Sequence, residues 1–344
     1  MTKPIGRSVL ANRVRQRADA LGVAETRMRL WVGASAFLQV LAIAAQGDAL
    51  PEFLLKGGFA LELRFLERAR ASRDIDVVLP IPMESIVEAI ERAIHDREWD
   101  GFSFTIKRGA REREHVMRVE IQAFYLGGAW CSLTVELGTG SDDEREMIDA
   151  FSLEPFGLRK PDAVPCLNRL MQVAHKLHAV TEPLERNMRY RDLVDIVLID
   201  TILEQDDDRL RASIEQTFLN RATHQWPTTL VIRPEWRAPL ARMLEEMDIE
   251  LTVDQLHTYI VRLIGRLLGI PMATTFEYRF IMLEGHGQIA DGFANAIKTT
   301  TEGYKDFELL TTQQGYRLAH LLRYPGTATA AMLAVLERPT GDET

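Results

Sequence analysis

Two aspartates carry the clearest chemistry in this sequence: Asp74-Ile75-Asp76, within the β-branched run RDIDVVL at residues 73–79. In an extended strand, side chains at i and i+2 share a face, so Asp74 and Asp76 project together while Ile75 and Val77 turn to a core. Paired carboxylates repel each other and call for a cation between them. Mg2+ suits the position, because it takes oxygen ligands and is commonly held by one or two carboxylates plus substrate phosphates. Just upstream, Lys56-Gly57-Gly58 opens a helix-like segment from Phe59 to about Arg68. Glycines allow close backbone approach and positive φ, and a helix N-terminus aims N–H groups and the positive dipole end at an anion. Lys56 adds a point charge. Taken singly, a double glycine is a turn and an Asp-x-Asp triplet a half-exposed strand. In this order and spacing they place glycines and carboxylates at adjoining ends of one unit, as metal-dependent nucleotidyl transfer requires.

The elements that must position these groups follow from the pattern of apolar residues. Residues 7 to 47 read as helices, with Leu30, Val32, Phe37, Val40 and Leu41 among Arg and Gln, and with Gly22 and Gly47 as punctuation. Residues 50 to 158 read as an α/β unit: the glycine helix, the aspartate strand, a helix over Met83 to Glu98 after Pro80 and Pro82, and strands near 102–107, 116–125 and 130–137. From 163 to about 268 the chain reads as helical again, interrupted by the polar, proline-bearing stretch Arg221 to Pro234. Beyond it, FEYRFIML has strand character, ADGFANAIKT is helical, and FELLTT and YRLAHLLRY read as further strands, giving a small β-α-β-β module. The expected organisation is residues 1–158 as N-terminal helices plus catalytic core, 159–270 as a helical lobe, 271–330 as the small α/β module and 331–344 as a tail.

Several ordered stretches resemble the AbiEii/AbiGii-type toxin nucleotidyltransferases of the DNA polymerase β-like superfamily. Lys56-Gly57-Gly58 with Ala60-Leu61 resembles that family's opening motif, and Arg70-Ala71-Ser72-Arg73-Asp74-Ile75-Asp76 its Arg-x-Ser-x-Asp-hydrophobic-Asp segment. Val135-Glu136-Leu137-Gly138 lies where the family carries a third strand carboxylate, commonly aspartate. Gln172 to Ala179 is similar to its lysine helix, and Arg189-Tyr190-Arg191-Asp192-Leu193-Val194-Asp195 to its Arg-x-(Lys/Arg)-Asp-x-x-Asp motif. The resemblance covers roughly residues 50 to 200, and continues more weakly through TFLNRATHQWP towards residue 268. It implies an α+β fold built on a polymerase β-like core, a mixed sheet with flanking helices, followed by a helical C-terminal lobe.

It also implies roles. Asp74 and Asp76 would hold a Mg2+ bound to the triphosphate, and Glu136 with both aspartates would position a second ion. Glu136 carries one methylene more than the family's usual aspartate, and Glu120, in HVMRVEIQAF, is the rival third ligand. Lys56, Gly57, Gly58, Ser72, Lys176, Arg191 and Asp192 make up the expected NTP-binding set. Lys176 would neutralise a β- or γ-phosphate as a point charge, and Arg191 could do so with a planar fork. Asp192 and Asp195, at i and i+3 on a helix, cannot both face one site squarely; Asp192 is taken to orient Lys176 or touch the sugar, Asp195 to support it. If the aspartate strand already begins at Ser72, its hydroxyl shares their face, and a phosphate there would exclude the NTP. His175 and His178 lack a third ligand nearby and read as surface or stacking residues.

Composition bounds the function. The 344-residue chain carries a net charge of −9, which argues against a protein that coats nucleic acid. Between Arg159 and Arg191, however, seven Lys/Arg stand against three acids, a local +4 suited to an NTP and one end of an RNA. Cys131 and Cys166 form neither a metal-spaced pair nor a disulfide framework. The start MTKPIGRSVLANRVRQR lacks the apolar core of a secretory signal, no uninterrupted apolar run of membrane length is evident, and cytoplasm is the default. The resemblance implies a tRNA 3′ end as acceptor, growth arrest as outcome and a separate antitoxin as partner. Transfer to a protein or small molecule, and a catalytically silent nucleotide-sensing or RNA-binding module, are the alternatives.

Overall fold

The computed structural model describes residues 2–113, 116–140, 144–203 and 206–268. The expected module at 271–330 and the 331–344 tail lie outside the described residues. The chain divides into two units. The first comprises Met1–Lys176, Leu198–Leu203 and Arg242–Ile249; the second comprises Leu177–Val197, Glu204–Ala241 and the chain from Glu250 onward.

The first unit is built on a mixed seven-stranded sheet. Its strands are β1 (Leu54–Lys56), β2 (Ile75–Leu79), β3 (Phe102–Arg113), β4 (Val116–Tyr125), β5 (Gly128–Thr139), β6 (Arg145–Ile148) and β7 (Val164–Leu167), in the order β3-β4-β5-β2-β1-β7-β6. Strand β2 lies at the centre, parallel to β5 and antiparallel to β1. Helices α1 (Arg7–Leu21), α2 (Glu25–Gln46), α3 (Gly57–Phe65) and α4 (Met83–Ile94) flank it. The fold is therefore α+β, as expected. The short strands β1, β6 and β7 were not legible as strands in the sequence.

Alternation along the central strands sorts the two faces. Ile75, Val77 and Leu79 on β2, Val119, Ile121 and Ala123 on β4, and Leu133, Val135 and Leu137 on β5 are all buried in one core with Trp31, Phe37 and Leu41 of α2. Each such aliphatic side chain contributes about 1.5–3 kcal/mol when fully buried. A slip of one residue in β2 would drive Asp76 into that core and expose Val77, so the register is fixed by the same residues that surround the aspartates. Helix α2 is long and apolar enough to cross a membrane, which the sequence reading did not anticipate. Most of it is nonetheless buried inside protein, packed on β5, β3 and α4, as befits a core helix.

Helix α3 is clamped from two sides. Arg27 of α2 pairs with the buried Glu62 at 2.6 Å and also donates to the carbonyls of Leu66 and Ala69, fixing the turn between α3 and β2. Burial raises the Glu62 carboxyl, against the pull of Arg27. On the other side, Arg64 pairs with Glu146 of β6 and donates to the Leu167 carbonyl of β7 at 2.8 Å.

The second unit is helical in its described part, and three of its boundaries with the first fall within α5 (Arg169–Thr181), α6 (Arg191–Asp200) and α8 (Pro234–Glu246). It also contains α7 (Asp207–Arg221) and α9 (Val253–Leu267). Thr252 and Gln255 form a reciprocal capping box at the start of α9. His178 is buried in a ring cluster with Phe218 and His224, at centroid distances of 4.8 and 4.5 Å. Burial first, then Arg221 and His224, lower its pKa to about 4, so it is a neutral stacking group at physiological pH.

Candidate active site

The polar face of the sheet collects charged groups in register. Lys56 of β1 stands opposite Asp76 of β2, Asp76 opposite Glu136 of β5, and Glu136 opposite Arg118 of β4. Four strands thus place two carboxylates and two cations in one row across the sheet. Asp74 immediately precedes β2, and its Oδ1 accepts a hydrogen bond from Nη2 of Arg118 at 2.8 Å. The other terminal nitrogen of the same guanidinium lies 3.7 Å from Glu136 Oε1. Asp74, Asp76 and Glu136 therefore share one face.

The two glycines have specific neighbours. Gly57 adopts φ of 69°, and a Cβ there would fall 1.8 Å from Asp76 Oδ2. The space above its Cα is filled by the Asp76 carboxylate, so this glycine serves the aspartate as well as any phosphate. A Cβ at Gly58 would lie 2.7 Å from Ser72 Oγ and 3.5 Å from a terminal nitrogen of Arg70. Helix α3 begins at Gly57 with no side-chain cap, beside the Asp76 carboxylate and the Arg70 guanidinium. Gly138 of β5 leaves room for Lys56, whose Nζ would lie 3.9 Å from a Cβ at that position.

Ser72 departs from the expected geometry. Strand β2 starts at Ile75, not at Ser72, and the Ser72 hydroxyl donates to the Asp74 carbonyl at 2.9 Å. Alternation from a strand therefore does not carry it onto the face of the aspartates; it closes the turn before them and sits against Gly58.

The charge balance shows at Asp76. Its carboxyl is pushed up to about 6, mainly by burial and then by Glu136, with Asp74 adding to the effect and Lys56 and Lys176 opposing it. Lys176, at the end of the first unit's share of α5, is largely buried at 8% exposure and acts on Asp76. Burial and the neighbouring carboxylates thus make the Asp76 charge costly, although at about 6 the group still ionises below neutral pH. Glu120, the rival carboxylate, is exposed on the same face but one strand further out, opposite Thr134. The register brings Glu136, and not Glu120, beside Asp76.

Arg191, Asp192 and Asp195 belong to α6 of the second unit. Arg191 lies 5.8 Å from the centroid of the neighbouring Tyr190 ring, and both aspartates are buried, at 6% and 0% exposure.

One residue was not expected from the sequence: Arg118, the cation between Asp74 and Glu136. Arg70, which opens the Arg-x-Ser-x-Asp segment, sits at the start of α3. Alternation puts Arg118 on the same face as Glu120, two residues on, but only the register of β4 on β5 sets it beside Glu136.

The donor set suits a hard divalent ion: three carboxylates, Asp74, Asp76 and Glu136, on one face. Among the described residues, however, no three Asp, Glu, His or Cys groups are gathered closely enough to hold an ion, and Arg118 engages two of the three carboxylates.

Residues 39–259 match the AbiEii family, described as nucleotidyl transferase AbiEii toxin of the type IV toxin–antitoxin system. Among solved structures, the chain is similar to MenT4, a nucleotidyltransferase toxin of Mycobacterium tuberculosis, at 17% identity and a TM-score of 0.46 over 78% of this chain and 99% of that one. It is also similar to an H. pylori protein described as a nucleotidyltransferase, at 12% identity and a TM-score of 0.38 over 69% and 97% of the two chains. An antigenic nucleotidyltransferase-like protein of Paracoccidioides brasiliensis matches at 10% identity and a TM-score of 0.35, over 64% and 94%. No curated protein sequence matches.

Proposed function

This chain belongs to the AbiEii family of nucleotidyl transferase toxins of type IV toxin–antitoxin systems, and from that premise we propose that it moves a nucleotidyl group from an NTP to the 3′ end of a tRNA, in the cytoplasm, under the control of a separate antitoxin. The observation that carries the reading is the row Lys56, Asp76, Glu136 set beside the uncapped start of α3. One end of that row offers cations and backbone N–H groups to a triphosphate; the other offers carboxylates to a reacting hydroxyl.

Lys56, Arg70 and the first turn of α3 bind the phosphates, with Lys176 supporting them from α5. Asp74, Asp76 and Glu136 would hold Mg2+, which supplies charge stabilisation at the triphosphate and a more acidic attacking hydroxyl. Buried Val77, Val135 and Leu137 keep those carboxylates at a fixed height above the sheet, so the hydroxyl and the α-phosphate meet in a defined geometry. In the step itself, the acceptor 3′ oxygen bonds to the α-phosphorus, the bond from that phosphorus to the α–β bridging oxygen breaks, pyrophosphate leaves, and the hydroxyl proton passes to water. The cluster of Lys and Arg between Arg159 and Arg191 favours an anionic acceptor such as RNA.

The test is to incubate the protein with Mg2+, each α-labelled NTP in turn, and total tRNA. Label on tRNA, lost in Asp76→Asn and Glu136→Gln, is the expected result. Label on protein alone would overturn the acceptor, and no transfer with any NTP would overturn the activity.

A further inference from the structure

We infer that Arg118 is a resident counter-cation of the carboxylate site, which a divalent ion must displace, and that this makes the site take its ion together with the nucleotide rather than ahead of it. The inference rests on the proposed ion-binding role of Asp74, Asp76 and Glu136. It goes beyond that reading by assigning a function to a residue outside the motifs that suggest the family.

The guanidinium bridges two carboxylates with two different nitrogens: Nη2 lies 2.8 Å from Asp74 Oδ1 and Nη1 lies 3.7 Å from Glu136 Oε1. The planar fork of Arg suits such a bridge, where a lysine would supply only a point charge. The position is dictated by the fold. Arg118 pairs across the sheet with Glu136, which pairs with Asp76, so its side chain must rise from the same face as the carboxylates. Its side chain is 38% exposed and those of Asp74 and Glu136 are 29% and 25% exposed, so the pair is open enough to part without unpacking the core.

Charge then sets the order of binding. Three carboxylates, Asp74, Asp76 and Glu136, face three cations, Arg118, Lys56 and Lys176. An ion entering alone must compete with a guanidinium already on two of its ligands and adds positive charge to a balanced cluster. A triphosphate carries more negative charge than one divalent ion cancels. When both arrive, the released guanidinium finds phosphate oxygens as new partners, and the cluster stays near balance. Ion and nucleotide thereby raise each other's affinity, by the same factor in both directions.

The experiment measures Mn2+ binding by electron paramagnetic resonance, with and without a non-hydrolysable NTP analogue, for the wild type, Arg118→Gln, Arg118→Lys and Asp76→Asn, each checked for folding by circular dichroism. Without nucleotide, Arg118→Gln should bind Mn2+ about tenfold more tightly than the wild type, and Arg118→Lys should fall between them. The analogue should tighten Mn2+ binding by about tenfold or more in the wild type, within the usual range of coupling between sites, and by far less in Arg118→Gln. Unchanged or weaker Mn2+ binding in Arg118→Gln, with Asp76→Asn still abolishing it, would overturn the role of Arg118 and leave the ion site standing. Mn2+ binding indifferent to Asp76→Asn would instead overturn the ion site itself.

Discussion

Replacing Asp76 with Asn should stabilise the metal-free protein at pH 7.5 by about 1–3 kcal/mol. The Asp76 carboxyl is pushed from 3.8 to about 6, first by burial and then by Glu136 and Asp74, against the pull of Lys56 and Lys176. At about 1.36 kcal/mol for each tenfold, that displacement is worth at most about 3 kcal/mol, and partial access to water lowers the figure. The native state keeps its proton where the unfolded chain has already lost it, so this group's contribution to stability falls as pH rises from about 4 to about 6 and is level above. Asn has the shape of the protonated acid and no charge to bury, so it escapes the loss. The assay is urea denaturation in EDTA at pH 7.5 and pH 5. The variant should be the more stable at both, with about half of the pH 7.5 gap remaining at pH 5. Saturating Mg2+ should stabilise the wild type and narrow the gap, because a bound ion offsets the repulsion that Asn removes. A variant that is less stable than the wild type, or a gap that ignores pH, would refute the electrostatic reading of this position.

Other substitutions probe single contacts. Gly58→Ala should cost about 1–3 kcal/mol, because its Cβ would meet Ser72 Oγ at 2.7 Å, and adding Ser72→Ala should recover at least half of that loss; a strictly additive double variant would show that the two do not collide. Glu136→Gln should slow nucleotide transfer by about a hundredfold or more, while Glu120→Gln should stay within about twofold, as expected if only the former positions reacting groups. The reverse pattern would reassign the third carboxylate to β4. Lys176→Ala should weaken NTP binding by roughly tenfold to a hundredfold through loss of a charge-assisted contact of about 1.5–3 kcal/mol. An unchanged calorimetric affinity would confine Lys176 to its effect on Asp76.

What could be read from the sequence was whatever repeats locally. The alternation of Ile75, Val77 and Leu79 with Asp76 marks a half-buried strand, and the glycine pair before Phe59 marks the start of α3. Both need only neighbours in the chain. Strands β1, β6 and β7 are three or four residues long, too short to show a period, and they exist because sheet partners complete their hydrogen bonds. The roles of Gly57 and Gly58 were half legible: their need for freedom was visible, but not that the Asp76 carboxylate and the Ser72 hydroxyl fill the space a side chain would take. Arg118 illustrates the remaining limit. Its partner Asp74 lies 44 residues away, and only the register of β4 on β5 and β5 on β2 brings them together. Ser72 shows the converse: the strand begins only at Ile75, so strand alternation does not say where the Ser72 hydroxyl points.

The most direct test of the central claim is a crystal structure with Mn2+ and a non-hydrolysable NTP analogue, read by anomalous scattering at the manganese edge. The account predicts manganese peaks within bonding distance of carboxylate oxygens of Asp74, Asp76 and Glu136, phosphate oxygens at the start of α3, and the Arg118 guanidinium released from Asp74. Manganese and nucleotide bound elsewhere, with Arg118 still bridging Asp74 and Glu136, would contradict it.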